Sequence, residues 1–448
     1  MQDALKLALT HNNNLQLALK EKEYAHGRVM ESYNEALPNL SADAGYTRLD
    51  EVSSFDVGGR EVSLGFQDNY SAELTLRQPL YRGGAISAAL RAAQLYAALS
   101  DEKIRAAVQD VIFQTARDYH GVLLARHLLA VEEQAVKAAQ AHLQDVRRKR
   151  RNGVASDYDV LRSEVEVSNL QARLIRQKNA LNMAVTQLLK TMGISQQARV
   201  TLADDLLYRP VRPVLEEAMR LARENRPDVY QAELSVRLQR EALRIARSAY
   251  WPEVDAFFLQ EWSNPDPHFS TRDEWGDAWT AGATLSLRIF DGLGRRGRVA
   301  QEKARLEQAR ISRLNMEEAV ALDVQQAVLN LKDAEELVES QKMNLRRAQE
   351  ALRLVRAGYQ EGINTELEVT DANTALAQTG ALYYQAIHSH VLARLNFERA
   401  LGILGPPAGD FSAKAEDIGP GLPPDFGGPS ETTNVPPNAA QENGNRKE

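Results

Sequence analysis

The sequence predicts an α+β membrane protein in which a unit of helix, strand, strand and long helical hairpin occurs twice in tandem. Three observations support this fold class. The chain resembles itself at a nearly constant offset, it carries long heptad repeats, and it has short segments in which apolar and polar residues alternate. The 448 residues could hold two or three ordinary domains, so the length alone leaves the architecture open.

Internal similarity is the evidence for the tandem arrangement. The stretch "ALKLALTHNNNLQLA" (residues 4–18) resembles "AMRLARENRPDVYQA" (residues 218–232). The offset is about 214 residues here and about 209 in later segments, so one small length change separates the two copies. We therefore expect a first repeat over residues 1–213 and a second over residues 214–405. Residues 406–448 are rich in Pro, Gly and Asn and are predicted to be a disordered tail.

The helices give the strongest local signal. A helix from near Gly84 to near Arg150 would be about 100 Å long at 1.5 Å per residue, which exceeds the size of one globular domain. In both copies, positions seven apart are mostly apolar, which is typical of a coiled-coil seam. These positions are Val108, Thr115, Val122, Leu129, Val136, Leu143, Val160, Val167, Leu174, Leu181 and Leu188, and then Val324, Leu331, Val338, Leu345, Leu352, Tyr359, Val369, Leu376, Tyr383, His390 and Phe397.

A short turn separates each long helix from a second helix that returns along it. The stretch "NGVASDYDV" after the first long helix resembles "EGINTELEV" after the second. Gly153 and Gly362 suit the turns, and Ser156 and Thr365 are of the residue types that cap a helix N-terminus. The sequence therefore predicts two helical hairpins with equivalent tips.

Each copy also contains two strand-like segments. Apolar and polar residues alternate in "YSAELTLR" (residues 70–77) and in "WTAGATLSLRIF" (residues 279–290), and partner strands are expected from Asn39 and from Glu253. Segments of about ten residues with one apolar face are typical of a membrane β-barrel wall. A half-buried sheet of a soluble domain has the same pattern, but helices too long to cover a small sheet favour the barrel.

Four strands are too few for one chain to seal a barrel. Even a barrel filled by side chains needs about eight strands, and unpaired strand edges are not tolerated in lipid. If these strands span a membrane, several copies of the chain must share one barrel. Their helices would then continue the tube beyond the bilayer.

The duplicated plan and the two tips, "RRNGVASDYDVLRSEVEV" and "YQEGINTELEVTDANTAL", resemble the TolC family of outer-membrane efflux channels. The resemblance runs from about Asp3 to about Gly405. It implies a homotrimer in which twelve strands form one outer-membrane β-barrel and twelve helices form a periplasmic α-barrel. The location would be the bacterial outer membrane and the periplasm, for a mature chain without its signal peptide.

The resemblance also implies a function. The chain would be a passive exit duct of a tripartite efflux or type I secretion system, with a gated periplasmic end, no enzymatic activity and no cofactor. Its partners would be outer-membrane lipid, a periplasmic membrane-fusion (adaptor) protein and an inner-membrane RND or ABC transporter. A soluble coiled-coil scaffold decorated with β-hairpins is the alternative that the residues leave open.

Roles for tip residues follow from the same resemblance. Glu368 and Asp371, three apart on one helix face, match acidic residues that ring the periplasmic entrance. Asp159 and Tyr359 match a pair that helps to hold the tips closed. Without the resemblance, Glu368 and Asp371 would be read as ordinary solvated carboxylates. Adaptor docking is expected at the tip residues Gly153, Val154, Ala155, Ser156, Gly362, Ile363, Asn364 and Thr365.

A second motif has two interpretations. The stretch "GLGRRG" (residues 292–297) fits a dinucleotide-binding turn, which links a buried parallel strand to a helix. The strand before it alternates, however, and a heptad run follows where a second strand should come. We therefore interpret Gly292 and Gly294, like Gly83 and Gly84 in the first copy, as turns from the barrel wall into a helix.

Composition excludes several other functions. The net charge of −7 argues against a dedicated nucleic-acid binder, even though Arg147 to Arg151 form a basic cluster. Cations are favoured at a helix C-terminus, and a contact with the adaptor or with acidic tip residues is the functional alternative for this cluster. The absence of cysteine excludes disulfides and Cys-based metal sites, and we expect no metal site of another kind.

Overall fold

Long helices extend from a small antiparallel sheet. The computed structural model describes residues 1–405 except residues 57, 60, 64 and 269–272, so the tail predicted at 406–448 lies outside the described residues. The first half contains α1 (Gln2–His11), α2 (Asn13–Ser32), β1 (Asn39–Arg48), β2 (Ser54–Asp56), β3 (Glu61–Ser63), β4 (Asp68–Arg82), α3 (Ala85–Arg151) and α4 (Asp157–Thr191). The second half contains α5 (Leu215–Asn225), α6 (Pro227–Ser248), β5 (Glu253–Asn264), β6 (Gly276–Ser286), α7 (Gly294–Gln360) and α8 (Glu366–Ala400).

The long helices and their return helices are confirmed. Both α3 and α7 have 67 residues, and both α4 and α8 have 35. At 1.5 Å per residue the long helices measure about 100 Å. Every predicted heptad position is buried or half-buried, because α3 packs against α4 and α7 packs against α8 along these positions. Within the described chain, no helix is both long and apolar enough to cross a membrane.

The opening segment of each copy is two helices, where the sequence predicted one. Asn12 separates α1 from α2, because its side-chain oxygen accepts hydrogen bonds from the N–H groups of Asn14 (2.9 Å) and Leu15 (3.2 Å). In the second half Pro227 begins α6, since proline has no N–H to continue the preceding helix. An asparagine in the first half and a proline in the second thus end the first helix of each half at equivalent positions.

The main sheet has four antiparallel strands in the order β1-β4-β5-β6. Its register gives the two faces predicted from the alternation. Leu40, Leu76 and Phe258 are direct neighbours on one face of β1, β4 and β5. On the other face, Asp43, Glu73 and Glu261 form a row of carboxylates across the same strands. In the middle of the sheet, apolar and charged side chains therefore lie on opposite faces, whereas Arg48 and Asp68 lie at the end of the apolar face.

Two details of the strands differ from the prediction. Strand β6 ends at Ser286 instead of continuing to Phe290, because its neighbour β5 begins at Glu253, which pairs with Ser286. Leu287 to Phe290 pair with no strand of the described residues and are exposed. The second difference is a short hairpin of β2 and β3 between β1 and β4, which the sequence pattern did not reveal.

The buried core lies where the helices of the two halves meet. One cluster joins α3 to α1, α4 and α8 and includes Ile104, Leu123 and Leu188. A second joins α5, α7 and α8 around Val324 and Leu331. The packing of α3 against α8 therefore connects the two helical hairpins over part of their length.

Candidate functional site

The two hairpin tips are built in the same way. The turn of residues 152–156 connects α3 to α4, and the turn of residues 361–365 connects α7 to α8. Gly153 and Gly362 take the left-handed conformation, with φ of 73° and 76°. The most exposed apolar side chains of the tips are Val154 and Ile363, at 75% and 79%. Each tip therefore presents one apolar side chain on a tight polar turn.

A capping box starts each return helix, which confirms Ser156 and Thr365 as N-caps. In the first tip, the Ser156 N–H donates to Asp159 Oδ2 (2.8 Å) and the Asp159 N–H donates back to Ser156 Oγ (3.2 Å). In the second, the Thr365 N–H donates to Glu368 Oε2 (2.7 Å) and the Glu368 N–H donates to Thr365 Oγ1 (3.3 Å). These reciprocal bonds satisfy backbone N–H groups that have no partner inside the helix.

The hydrogen bonds of the caps also stabilise the ionised form of the Asp159 and Glu368 carboxylates. Hydrogen bonds from the side chain and backbone of Ser156 lower the pKa of Asp159. Hydrogen bonds from the Thr365 backbone, the Asn364 amide and the Thr365 hydroxyl lower the pKa of Glu368. Both groups are therefore ionised at neutral pH.

Glu368 and Asp371 lie on one face of α8, as predicted, but their surroundings differ. Glu368 is exposed and bonded into the cap. Asp371, one turn further along, is also exposed, and no hydrogen bond or ion pair involving it occurs between residues 1 and 405 where the chain is described. Asp371 is therefore the carboxylate of this pair without a structural partner.

Among the described residues of the single chain, no hydrogen bond joins Asp159 to Tyr359, and their role in holding the tips closed stays a prediction. Asp159 bonds to its own N-cap, whereas Tyr359 contacts α3 of the other hairpin. The Lys149 ammonium lies 3.4 Å from the centre of the Tyr359 ring and 3.4 Å from the Tyr359 carbonyl oxygen. Burial, followed by the nearby charge of Glu366, raises the pKa of the Tyr359 hydroxyl. Tyr359 is therefore in direct contact with Lys149, and Asp159 acts on the Tyr359 hydroxyl only through its nearby charge.

A buried polar cluster joins the two hairpins just behind the tips. Glu366 Oε1 lies 3.3 Å from His142 Nε2 of α3 and accepts hydrogen bonds from Ser163 of α4 (3.2 Å) and Thr370 of α8 (3.1 Å). The side chains of Glu366 and His142 are each only 11% exposed. We call Glu366, His142, Ser163 and Thr370 the inter-hairpin cluster. Sequence reasoning missed it, because no local pattern relates His142 to a residue 224 positions away.

The basic cluster at the end of α3 contacts mainly the hairpins themselves. Arg147 binds Glu164 at 2.7 Å, and Arg150 forms an ion pair with Asp157 of the same tip. Lys149 reaches Tyr359 of the second hairpin. Of the two interpretations that were open, contact with acidic tip residues therefore accounts for Arg147 and Arg150.

The turns between sheet and helix differ partly from the prediction. Gly83 and Gly84 have positive φ, of 59° and 85°, where β4 passes into α3. A Cβ at Gly83 would collide with the Ser248 carbonyl and Trp251, so this turn requires glycine. In the second half the left-handed residues are Gly292 and Leu293, while Gly294 is already the first residue of α7.

The N-terminus of α7 is occupied by a carboxylate of the protein. The Arg295 N–H donates to Asp291 Oδ2 at 2.8 Å, and the Arg295 guanidinium binds the Ile289 carbonyl at 2.9 Å. A dinucleotide phosphate would need this helix end. Together with the antiparallel strand that precedes it, this geometry contradicts a nucleotide-binding turn.

Comparison with known proteins identifies the family. The model of the outer membrane efflux protein family matches residues 4–194 and residues 218–403. The chain belongs to the outer membrane efflux protein family. This efflux protein is therefore an outer-membrane protein of a transport family and not an enzyme, which favours the duct over the soluble scaffold.

Individual relatives agree with the family assignment. Outer membrane protein TolC of Escherichia coli is 24% identical over 408 residues, which cover 88% of this chain and 80% of that protein. The alkaline protease secretion protein AprF of Pseudomonas aeruginosa is 22% identical over 381 residues, 84% of this chain and 78% of that protein. Both matches therefore cover most of this chain and most of the relative.

Solved structures show the same fold. The CmeC outer membrane channel of Campylobacter jejuni has a TM-score of 0.79 at 16% identity, and the match covers 93% of this chain and 88% of that one. The outer membrane protein VceC of Vibrio cholerae has a TM-score of 0.76 at 17% identity, with 90% and 95% covered. The arrangement of sheet and long helical hairpins is therefore the fold of outer-membrane channels.

Proposed function

We propose that three copies of this efflux protein form one passive exit duct through the outer membrane. The sheet carries the proposal, because β1 and β6 are its edges and no further strand of the described chain pairs with either of them. Open edges are not tolerated in lipid. Three sheets of four strands give 3 × 4 = 12 strands, more than the about eight that a small barrel needs. Strand β6 of one copy would pair with β1 of the next.

The two faces of the sheet suit a barrel wall. Leu40 and Trp279, on the apolar face, are 63% and 67% exposed in the single chain, so neither belongs to an internal core. This face would contact lipid. The row of Asp43, Glu73 and Glu261 on the opposite face would line the water-filled interior.

Apolar stripes on the helices suit an α-barrel. Leu322 and Leu329 of α7 are seven residues apart and 64% and 52% exposed, on the side opposite the seam with α8. Leu161 and Ile175 of α4 are also exposed, at 61% and 69%. We infer that α7 of one copy packs against α4 of the next. The 3 × 4 = 12 helices of the two hairpins in three copies would form the periplasmic tunnel.

The tips would form the closable inner end. Glu368 and Asp371 of three copies would place six carboxylates around the entrance, which favours cations and repels anions. The inter-hairpin cluster and the Lys149–Tyr359 contact join the hairpins in the present conformation. These contacts would have to break or slide when the entrance widens.

The partners follow from the same proposal. The exposed turns, residues 152–156 and 361–365, would dock a periplasmic adaptor that connects the duct to an inner-membrane RND or ABC transporter, which supplies the energy. Relatives named for efflux and for protease secretion support both kinds of system. Residues 1–213 and 214–405 would be two structural repeats that contribute equivalent hairpins.

The decisive experiment measures assembly and conductance together. The protein purified in detergent should migrate as a trimer on an unheated gel and as a monomer after heating. The same trimer should form channels in planar lipid bilayers. A monomer that stays in solution without detergent, or a trimer without conductance, would contradict the proposal.

A further inference from the structure

An arginine-rich groove lies between α3 and α6, close to the sheet. Arg237, Arg240 and Arg244 occupy one face of α6, since they are spaced three and four residues apart, and Arg91 of α3 faces them. The groove is open to solvent and has a volume of about 560 Å³. Neither the closure of the barrel nor the tips make use of these side chains.

A buried carboxylate fixes two of the arginines. Glu241 is only 7% exposed, and its Oε2 accepts a hydrogen bond from Arg91 Nε at 3.1 Å. Its Oε1 accepts one from Arg244 Nη1 at 2.5 Å. Both guanidinium groups are about half exposed, at 46% and 52%, so their other N–H groups point away from Glu241. The guanidinium groups of Arg91 and Arg244 are therefore held in position by Glu241 and keep N–H groups that can donate to a ligand.

The groove keeps a positive charge. Arg237 forms an ion pair with Glu233, and Arg240 has no hydrogen bond or ion pair to any residue in the described ranges. Four guanidinium groups therefore face two carboxylates, Glu233 and Glu241, which leaves +4 − 2 = +2. A site with this charge and with spare N–H donors suits an anion that has several oxygens.

The groove lies at a defined depth below the sheet. Arg91 follows Gly84, where β4 has passed into α3, by seven residues, and Arg244 precedes the end of α6 by four. At 1.5 Å per residue they lie about 10 Å from the start of α3 and about 6 Å from the end of α6, which are the helix ends next to the sheet. Strands of 12 and 11 residues, as in β5 and β6, span a hydrocarbon core, and the headgroup layer adds about 5 to 7 Å on each side. The groove is thus at or just beyond the headgroups.

The groove would also remain open in the assembly. Helix α3 packs against α2 on one side and α6 on the other, and α6 packs against α3 and α7. The groove is therefore in the middle of this row of helices, away from the ends at which a neighbouring copy would pack.

We propose that this groove binds the phosphate of an anionic phospholipid in the periplasmic leaflet of the outer membrane. The planar guanidinium group matches phosphate oxygens with paired hydrogen bonds, and basic pockets between helices at the membrane surface bind anionic headgroups. The inference rests on the proposed duct, since the barrel sets the depth of the groove. The lipid would anchor α3 and α6 at the point where the tube leaves the membrane.

Native mass spectrometry of the detergent-purified trimer tests the site. The trimer is mixed with equal amounts of phosphatidylglycerol and phosphatidylcholine that have the same acyl chains. We expect about a tenfold preference for phosphatidylglycerol, which corresponds to about 1.4 kcal/mol. The triple variant Arg91→Gln, Arg240→Gln, Arg244→Gln should lose this preference. The matched control is Arg346→Gln, Arg347→Gln, Arg353→Gln, three exposed arginines of α7 far from the sheet, and should keep it.

Each alternative outcome has a separate meaning. Equal preference in the two triple variants would overturn the site. Displacement of the lipid by the same concentration of water-soluble glycerol phosphate would reveal a general anion site and overturn the lipid assignment. Arg240→Gln alone removes no hydrogen bond or ion pair of the described residues and should still weaken the preference, which provides the test if the triple variant does not assemble. Failure of the wild-type chain to form trimers would contradict the duct, whereas trimers without lipid preference would contradict only the groove.

Discussion

Glu368 has two roles to reconcile at the scale of single residues. Its carboxylate closes the capping box at the start of α8, and the same carboxylate is proposed to face the entrance of the duct. Asp371 has no such structural bond. The two residues can therefore be separated by the choice of substitution, because glutamine can replace glutamate in a capping box whereas alanine cannot.

Neutralising both charges should change conduction without unfolding the tip. We expect Glu368→Gln combined with Asp371→Asn to raise single-channel conductance in bilayers and to weaken block by multivalent cations. Glu368→Ala should in addition destabilise the start of α8, because the Thr365 N–H loses its acceptor in the capping box. Glu350→Gln, an exposed residue of α7 paired with Arg353, is the control. Unchanged conductance in the double variant would contradict the constriction.

Glu366 should influence opening from behind the tip. Replacing it with alanine leaves His142 and Ser163 without their shared acceptor, and each lost partner costs about 1 to 3 kcal/mol. We expect Glu366→Ala to increase the fraction of time that the channel spends in its high-conductance state. Glu339→Ala, exposed on α7, should leave this fraction unchanged. An equal effect of the two substitutions would show that the inter-hairpin cluster does not hold the hairpins together.

How far the sequence predicts the site depends on the distance between partners. Ser156 and Thr365 could be recognised as caps, because each bonds to a residue three positions away. The contact of Lys149 with Tyr359 joins residues 210 positions apart, so it depends on how the first helical hairpin packs against the second. No short-range pattern encodes that packing.

At the scale of elements, the packing of α3 against α8 contains three histidines, of which His390 is buried and His120 and His388 are half-buried. His120 of α3 and His388 and His390 of α8 each have at least one buried ring nitrogen with no hydrogen-bond partner among the described residues. Burial, followed by the proximity of His388, lowers the pKa of His120 to about 4. Burial also lowers the pKa of His388 and of His390. The folded chain therefore favours neutral imidazoles at this interface.

Stability should fall in mild acid for this reason. The unfolded chain takes up protons near the ordinary histidine pKa of about 6.5, before the folded chain does. The stabilisation is therefore complete above that pH and is lost as the pH falls through about 6.5 towards 4. The melting temperature of the trimer should drop by several degrees between about pH 7.5 and about pH 5. His120→Gln should reduce the dependence of the melting temperature on pH. His26→Gln, at an exposed position of α2, should leave this dependence unchanged. An equal pH dependence of the melting temperature in the two variants would contradict the role of His120 in this loss of stability.

Strand and helix limits show the same dependence on distant partners. Heptad spacing was sufficient for α3 and α7, since a helix satisfies its backbone hydrogen bonds within itself. Alternation could not place the end of β6, because that end depends on where β5 begins, at Glu253. The breaks after His11 and before Pro227 were visible as residue types, but a continuous apolar pattern concealed them.

At the scale of the whole molecule, the exposed stripe of α7 should control assembly. Leu322→Asp with Leu329→Asp would place charges in the proposed contact between α7 and α4 of neighbouring copies, where burying an unpaired charge is costly. We expect the trimer to dissociate on gels at a temperature lower by 10 °C or more, a rough estimate from the loss of several kcal/mol. Asn330→Asp, which lies beside the stripe, is the control. Identical dissociation temperatures would argue that this face is not an interface.

The two-way caps at the tips have a mechanical consequence. A helix whose first turn is locked by reciprocal hydrogen bonds does not unravel easily. In the proposed duct, the aperture would therefore widen without melting of the helix ends, and each helical hairpin would swing outward as a stiff lever whose pivot lies far from the tip. A tilt of a few degrees over roughly 100 Å moves a tip by several ångströms, so small rotations near the membrane are enough to open the far end.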